Sequence, residues 1–276
     1  MRILIAADLE GASGVVSLRE LGTDASGRYL EARRWLTGDV NAAVEGAMEA
    51  GASTFVAHDS HGSDSRNLIL DDLHPALEVV AGWPLMLLEE ADLARGYDGC
   101  FLIGMHARAG ASGVLSHALD WTLVRQVRLN GRPVGESELT VSLAASYDIP
   151  SILVTGDDQV CLDVQRWSAG SIEAAVVKYA LSRYAARCLP LIEARERIRT
   201  AAARAVQRLA QVRPQRASTP VLLEVEFSER EAARCAAHMP QVAYDGDCTL
   251  SFADEDYRLV YRALLAMVWC ARGARR

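Results

Sequence analysis

MRILIAADLEGASG, residues 1–14, decides how the rest of the chain is read. Residues 3–7 (ILIAA) form a continuous apolar run that suits a buried strand. Asp8 and Glu10 follow at once, and Gly11 and Gly14 let the backbone turn. In an open α/β sheet, ligands bind outside the carboxyl ends of the strands. A carboxylate pair placed there faces a site rather than bulk solvent. Two more apolar runs end in the same way. TFVAHDSH (54–61) closes on Asp59 and His61, and CFLIGMHAR (100–108) delivers His106. Carboxylates and imidazoles brought to one sheet edge are the ligand mix of zinc or a similar divalent metal.

The chain has 276 residues, half of them hydrophobic, enough for one large or two modest domains with a sizeable core. A formal charge of −7 disfavours nucleic acid or an anionic membrane as the main partner. No apolar run approaches the ~20 residues of a membrane helix. The N-terminus opens directly on a strand without a leader pattern, so a cytoplasmic protein is expected. Six scattered cysteines without a CxxC pair are expected as reduced, mostly buried thiols.

Working outward, residues 31–51 have helical spacing and 53–58 form a second strand. Residues 76–82 and 84–90 are short apolar stretches, read as a further strand and a helix start. RQVRLNGRPVG (125–135) alternates around Asn130-Gly131, a hairpin signal. Residues 136–148 read as a helix and 151–158 as a strand ending in Asp157 and Asp158. The stretch 164–189 is read as a strand and a helix, and 192–212 as a long amphipathic helix. A linker (213–220) precedes strand, short helix, strand and final helix. The fold class expected is α/β, a mostly parallel sheet flanked by helices with a smaller α+β C-terminal subdomain. Residues 1–190 would form the metal-binding catalytic domain. Residues 191–276 would form the subdomain, with oligomerisation as its candidate role.

Asp8, Glu10, His61, His106 and Glu136 form the constellation that carries chemistry. Glu136 follows the hairpin and opens a helix. Three carboxylates and two neutral imidazoles carry −3 against the +4 of two divalent cations, leaving +1 to hold a hydroxide. Asp8, nearest the sheet, is the natural shared ligand. Taken singly, each of these residues is as easily a cap, a turn former or a solvated loop acid. The metal reading comes from their joint placement. His58 and His74 read as ordinary histidines. His117, in GVLSHALD past a glycine-rich segment, is a candidate to pass a proton to a leaving amine. Asp157 and Asp158 are candidates to orient ligand histidines or a turn.

These segments resemble the D-aminopeptidase family of M55 metallopeptidases. The matching stretches are DLEG (8–11), DSH (59–61), LHP (73–75), GMHARA (104–109), GVLSH (113–117), NGRPVGE (130–136) and GDD (156–158). Shorter matches follow at VK (177–178), SR (182–183) and CLP (188–190). The resemblance implies a two-zinc aminopeptidase acting on short peptides or amino-acid amides with N-terminal D-residues. It implies Asp8, Glu10, His61, His106 and Glu136 as ligands of two Zn2+ per subunit. It places His117 at the catalytic centre, as nucleophile or as acid/base. It also implies a ring-like homo-oligomer, a decamer.

Two rival readings remain at this level. A phosphatase of the haloacid-dehalogenase type also carries an acid pair after strand 1, but it favours Asp at both positions and magnesium. A non-catalytic peptide-binding protein linked to uptake would share the peptide site without turnover. A dinucleotide enzyme is disfavoured, because DLEGASG lacks GxGxxG spacing.

Overall fold

The computed structural model describes residues 1–22, 27–62, 66–82 and 90–274. The chain begins β1 (Arg2–Ala7), α1 (Arg28–Glu49), β2 (Thr54–Asp59), β3 (Leu77–Val80), α2 (Glu90–Leu93) and β4 (Gly99–Met105). It continues through β5 (Val124–Leu129), β6 (Arg132–Val134), α3 (Glu136–Ser146), β7 (Ser151–Asp157), α4 (Asp158–Trp167), β8 (Glu173–Ser182), β9 (Ala185–Cys188) and α5 (Leu191–Gln207). It ends with β10 (Val221–Phe227), α6 (Arg230–Ala236), β11 (Ala243–Tyr244), β12 (Thr249–Asp254) and α7 (Tyr257–Arg272). The stretch 84–90 lies outside the described residues except for Glu90, the first residue of α2.

Seven strands form the main sheet in the order β3-β2-β1-β4-β7-β8-β9, parallel throughout except for β9. Its apolar strands are buried on both faces, which is why they read as continuous hydrophobic runs. Along β1, Ile3 and Ile5 pack on the side of Leu36 and Val40 of α1 and Ile198 and Ala202 of α5. Leu4 and Ala6 pack on the other side, in one core with Leu139 of α3, Val225 of β10 and Leu264 of α7. From β1 the chain moves one way through β2 to β3, and from β4 it moves the other way through β7 to β8. The direction reverses between β1 and β4, and such a switch point is where a crevice opens at the strand ends.

A second, antiparallel sheet has the order β11-β12-β10-β5-β6. It joins strands from both parts of the sequence. The β5–β6 hairpin turns on Asn130 and Gly131, both at positive φ as this tight turn requires. Helix α5, counted by sequence with the C-terminal part, lies against α1 on the main sheet.

Two sequence expectations are corrected. Within residues 164–189, the end of helix α4 comes first, followed by the antiparallel pair β8–β9. The second half of this stretch, read as a helix, instead forms β8 and the largely exposed edge strand β9 that hydrogen-bonds to it, so pairing with a neighbouring strand overrides local helix propensity there. The six cysteines are free, but only Cys100 and Cys161 are buried, and Cys188 and Cys270 are exposed. No helix among the described residues is long and apolar enough to cross a membrane.

Candidate active site

The loop after β1 is pressed against the end of β4. The Asp8 amide donates to the Ile103 carbonyl at 2.9 Å, and the Gly11 amide donates to the Gly104 carbonyl at 2.8 Å. A Cβ on Gly11 would collide with the Met105 carbonyl, and one on Gly104 (φ +72°) with the Asp8 carbonyl. Only glycines allow this approach, and it brings Asp8 and Glu10 beside His106. Two buried charges then fix the loop. The Lys178 ammonium, from β8, donates to the carbonyls of Glu10 (2.6 Å), Ala12 (3.0 Å) and Val15 (2.6 Å). The Asp39 carboxylate, from α1, accepts the Ser13 amide at 2.8 Å.

His61 and Glu136 arrive from other elements. Asp59 at the end of β2 accepts the backbone amides of Asn67 and Leu68, and Asn67 donates its side-chain amide to the His61 carbonyl at 2.8 Å. This loop carries the His61 ring toward Glu10. Glu138 takes the capping position of α3 by accepting the Gly135 amide at 2.8 Å. Glu136, in the first turn of α3, is thereby left to face the site, where the helix dipole favours its negative charge. It also accepts the Leu119 amide at 2.7 Å.

The structure brings together all six side chains that the sequence singled out. His61 Nδ1 lies 2.9 Å from Glu10 Oε2 and 3.5 Å from Asp8 Oδ1. His106 Nε2 lies 3.1 Å from Glu136 Oε1 and 3.6 Å from Asp8 Oδ2. The two oxygens of Asp8 thus face two different histidines. His117 Nε2 is 3.9 Å from Glu10 Oε1 and 3.8 Å from Glu136 Oε1, and its ring stacks on His106 with centroids 4.0 Å apart. Two overlapping groups gather ligand atoms within 4.8 Å of one another: Asp8, Glu10 and His106, and His106, His117 and Glu136. His117 is therefore a possible donor as well as a possible proton carrier.

The second nitrogen of each ring decides what the first can do. His61 Nε2 meets the Leu21 carbonyl at 3.1 Å, His106 Nδ1 the Ala107 carbonyl at 3.0 Å, and His117 Nδ1 the Leu115 carbonyl at 2.9 Å. A carbonyl only accepts, so each of those nitrogens carries the proton when the ring is neutral. The opposite nitrogen then points a lone pair at carboxylate oxygens. Lone pairs facing lone pairs in a buried pocket repel unless a cation or a proton lies between them. Without a cation, protons must fill that need. Burial opposes a charge on His106, but the Glu136 carboxylate overrides it and lifts the imidazole to about 10. His61 is raised well above its usual range against burial by the Glu10 charge. Burial, with Glu10 adding to it, pushes Asp8 up to about 7. Glu10 is held well below the carboxylate range, the His61 charge outweighing burial. Mixed carboxylate and imidazole donors in two adjoining groups fit a pair of borderline-soft divalent ions such as zinc.

Other expectations land elsewhere. Asp157 caps α4 by accepting the Val160 amide and also accepts the Val114 amide, while Asp158 accepts the Ala180 amide. Asp157 thus orders the start of α4 and the segment leading to His117, and Asp158 ties α4 to strand β8. His58 pairs with Asp92, and His74 accepts the Ala76 amide. Along the sequence Lys178 stands out only within the VK match (177–178), and Asp39 belongs to no motif. A lysine inside the apolar run of 174–180 and an aspartate on the apolar stripe of α1 were the signals that each is buried with a purpose.

Beyond His117 opens a cleft of about 540 Å3. Its wall includes Trp121, Arg125, Leu181 and Arg183.

Comparison with known proteins agrees with this geometry. A curated D-aminopeptidase from Bacillus subtilis (strain 168) is 31% identical over 271 residues, covering 97% of this chain and 96% of that protein. The solved structure of a zinc-dependent D-aminopeptidase, DppA from the same species, described as a self-compartmentalizing protease, superposes with a TM-score of 0.89. It is 28% identical and covers 99% of this chain and 98% of the other. The sequence model of the M55 peptidases, described as D-aminopeptidase, matches residues 1–266. With this match, and the metal-type cluster at the switch point of its parallel sheet, the chain belongs to the M55 family of metal-dependent aminopeptidases.

Proposed function

We propose that this protein is a zinc-dependent aminopeptidase that removes N-terminal D-residues from short peptides or amino-acid amides. In this reading, Asp8, Glu10, His61, His106 and Glu136 would hold two metal ions, with the Asp8 carboxylate lying between the His61 and His106 sides of the cluster. The observation that carries it is the orientation of Asp8, one oxygen toward His61 and the other toward His106, within a ring of lone pairs that calls for cations. Such a metal pair, when bound, acidifies water and polarises a carbonyl.

The remaining work belongs to the chain. Lys178 and Asp39 hold the loop that presents Glu10, and Leu119 fixes the Glu136 carboxylate. Burial, with the neighbouring His106 adding to it, lowers His117 from its usual imidazole range. Its Nε2 faces the gap between Glu10 and Glu136, where it can take a proton and pass it to the leaving amine. The membership of a peptidase family sets aside the phosphatase and the non-catalytic binder. The reading extends to a homo-oligomer, supported by the self-compartmentalizing relative, and, from the family resemblance of the sequence alone, to a ring-like decamer in the cytoplasm. Residues 191–276 are proposed to take part in that assembly.

The test is zinc content by elemental analysis, paired with release from matched D-Ala and L-Ala p-nitroanilides. Two zincs per chain and D-selective release are expected. A metal-free protein with no gain on adding zinc would refute the site, and L-selective release would refute the stereochemistry.

A further inference from the structure

We infer that the cleft beyond His117 binds the C-terminal carboxylate of a short peptide through Arg183 and Arg125, so that the protein selects di- and tripeptides with a free carboxyl end. This rests on the aminopeptidase reading above, which places the scissile bond beside His117.

The chain carries a net charge of −7 and its metal-type cluster is rich in acids, yet the residues lining the cleft include two arginines and no acid. Arg183 has no carboxylate within ion-pair distance among the described residues, and its guanidinium rests over the Tyr184 ring at 5.5 Å. Arg125 meets Glu226 at 3.5 Å, but its side chain is 62% exposed and Glu226 is shared with Arg128 at 3.8 Å. Exposed pairs of this kind hold weakly, so Arg125 exchanges partners easily. A planar guanidinium matches a carboxylate with two parallel hydrogen bonds, and Arg is the side chain suited to that recognition.

The Arg183 carbonyl accepts the Leu115 amide at 2.7 Å, which ties Arg183 to the segment two residues before His117. The His117 ring lines the cleft on one side, while its Nε2 faces Glu10 and Glu136. His117 therefore borders both the metal-type cluster and the cleft whose lining includes Arg125 and Arg183. In a dipeptide, the carboxyl carbon lies two covalent bonds beyond the nitrogen that leaves. Each added residue moves it outward by about 3.3–3.6 Å. Short peptides keep the carboxylate within the cleft and longer ones carry it away. Trp121 and Leu181, both exposed on the wall, offer apolar surface to the side chain of the leaving residue.

The experiment compares D-Ala-D-Ala with D-alanyl-D-alaninamide on the zinc-loaded protein and on Arg183→Met, Arg125→Met and the double variant. The quantity read is the ratio of kcat/KM for acid over amide. The wild-type ratio is expected at about ten to a hundred, the range a charge-assisted hydrogen bond supplies. It should fall toward one in the double variant and be partly kept in Arg183→Lys. Calorimetric titration of both compounds into metal-free protein reads the same site without turnover. Equal wild-type rates on acid and amide, or a preference unchanged in the double variant, would overturn the inference and leave the aminopeptidase reading standing. If neither compound is cleaved, the aminopeptidase reading fails. Binding that needs both the carboxylate and the arginines would then still support the site, and its absence would overturn that too.

Discussion

Replacing Lys178 with methionine removes one ammonium and little volume, so its effect isolates what the charge does. The side chain is fully buried and donates to three carbonyls of the loop that carries Glu10. Each buried acceptor left without a partner costs about 1–3 kcal/mol. Loop relaxation, and the burial penalty of the ammonium that is no longer incurred, offset part of that sum. The net loss should fall at about 3–5 kcal/mol, as when one partner of a buried charged contact is deleted. Since the total stability of a domain is about 5–15 kcal/mol, this is a large share, and the melting temperature should drop by roughly 10 °C. The released loop also lets Glu10 drift from Asp8 and His61. Zinc content should then fall from two toward one per chain, because the side built on His106 and Glu136 does not depend on this loop except through Asp8. Thermal melting of the metal-free protein and elemental analysis of the zinc-loaded protein measure the two effects separately. A Lys178→Met protein with wild-type melting and two zincs would refute the reasoning. A uniform loss of both metals would show that the loop holds Asp8 as firmly as Glu10.

Two other perturbations probe the same region. His117→Ala should retain two zincs and lose most turnover on a D-Ala p-nitroanilide; a drop to one zinc would assign His117 to the metal shell instead. Asp39 is lifted to about 6, chiefly by burial, from an ordinary 3.8. Folding therefore takes up a proton between about pH 4 and 6, and this group's contribution to stability, full below about pH 4, is lost as pH rises through 6. Asp39→Asn can still accept the Ser13 amide and removes the titration. On going from pH 4.5 to 6.5, the variant should gain about 1–3 kcal/mol over wild type in urea melts of metal-free protein. Parallel pH profiles would show that Asp39 stays ionised throughout.

Much of the fold and the candidate site can be read along the chain because strand-end chemistry is local. An apolar run followed at once by acids or histidine places Asp8, Glu10 and His106 past the ends of β1 and β4 whatever the rest of the chain does. The same local logic places His61 after β2, Glu136 at a helix start, and Asn130-Gly131 in a two-residue turn. Where the reading of 164–189 went wrong, the segment had no local preference strong enough to resist pairing with its neighbours.

The donor set, the α/β class and the family resemblance are legible in the order of residues along the chain. Each depends on residue types and spacings within a few positions of one another. Only three-dimensional packing turns the two Asp8 oxygens toward different histidines, because that depends on the close approach of Gly11 to the end of β4. Only it placed Lys178, 168 residues from Glu10, against the Glu10 carbonyl, joined the β5–β6 hairpin to the C-terminal strands, and set two arginines in the cleft beyond His117. These are contacts between segments far apart in the chain. Such contacts form through burial and packing of the whole molecule, which no local spacing encodes.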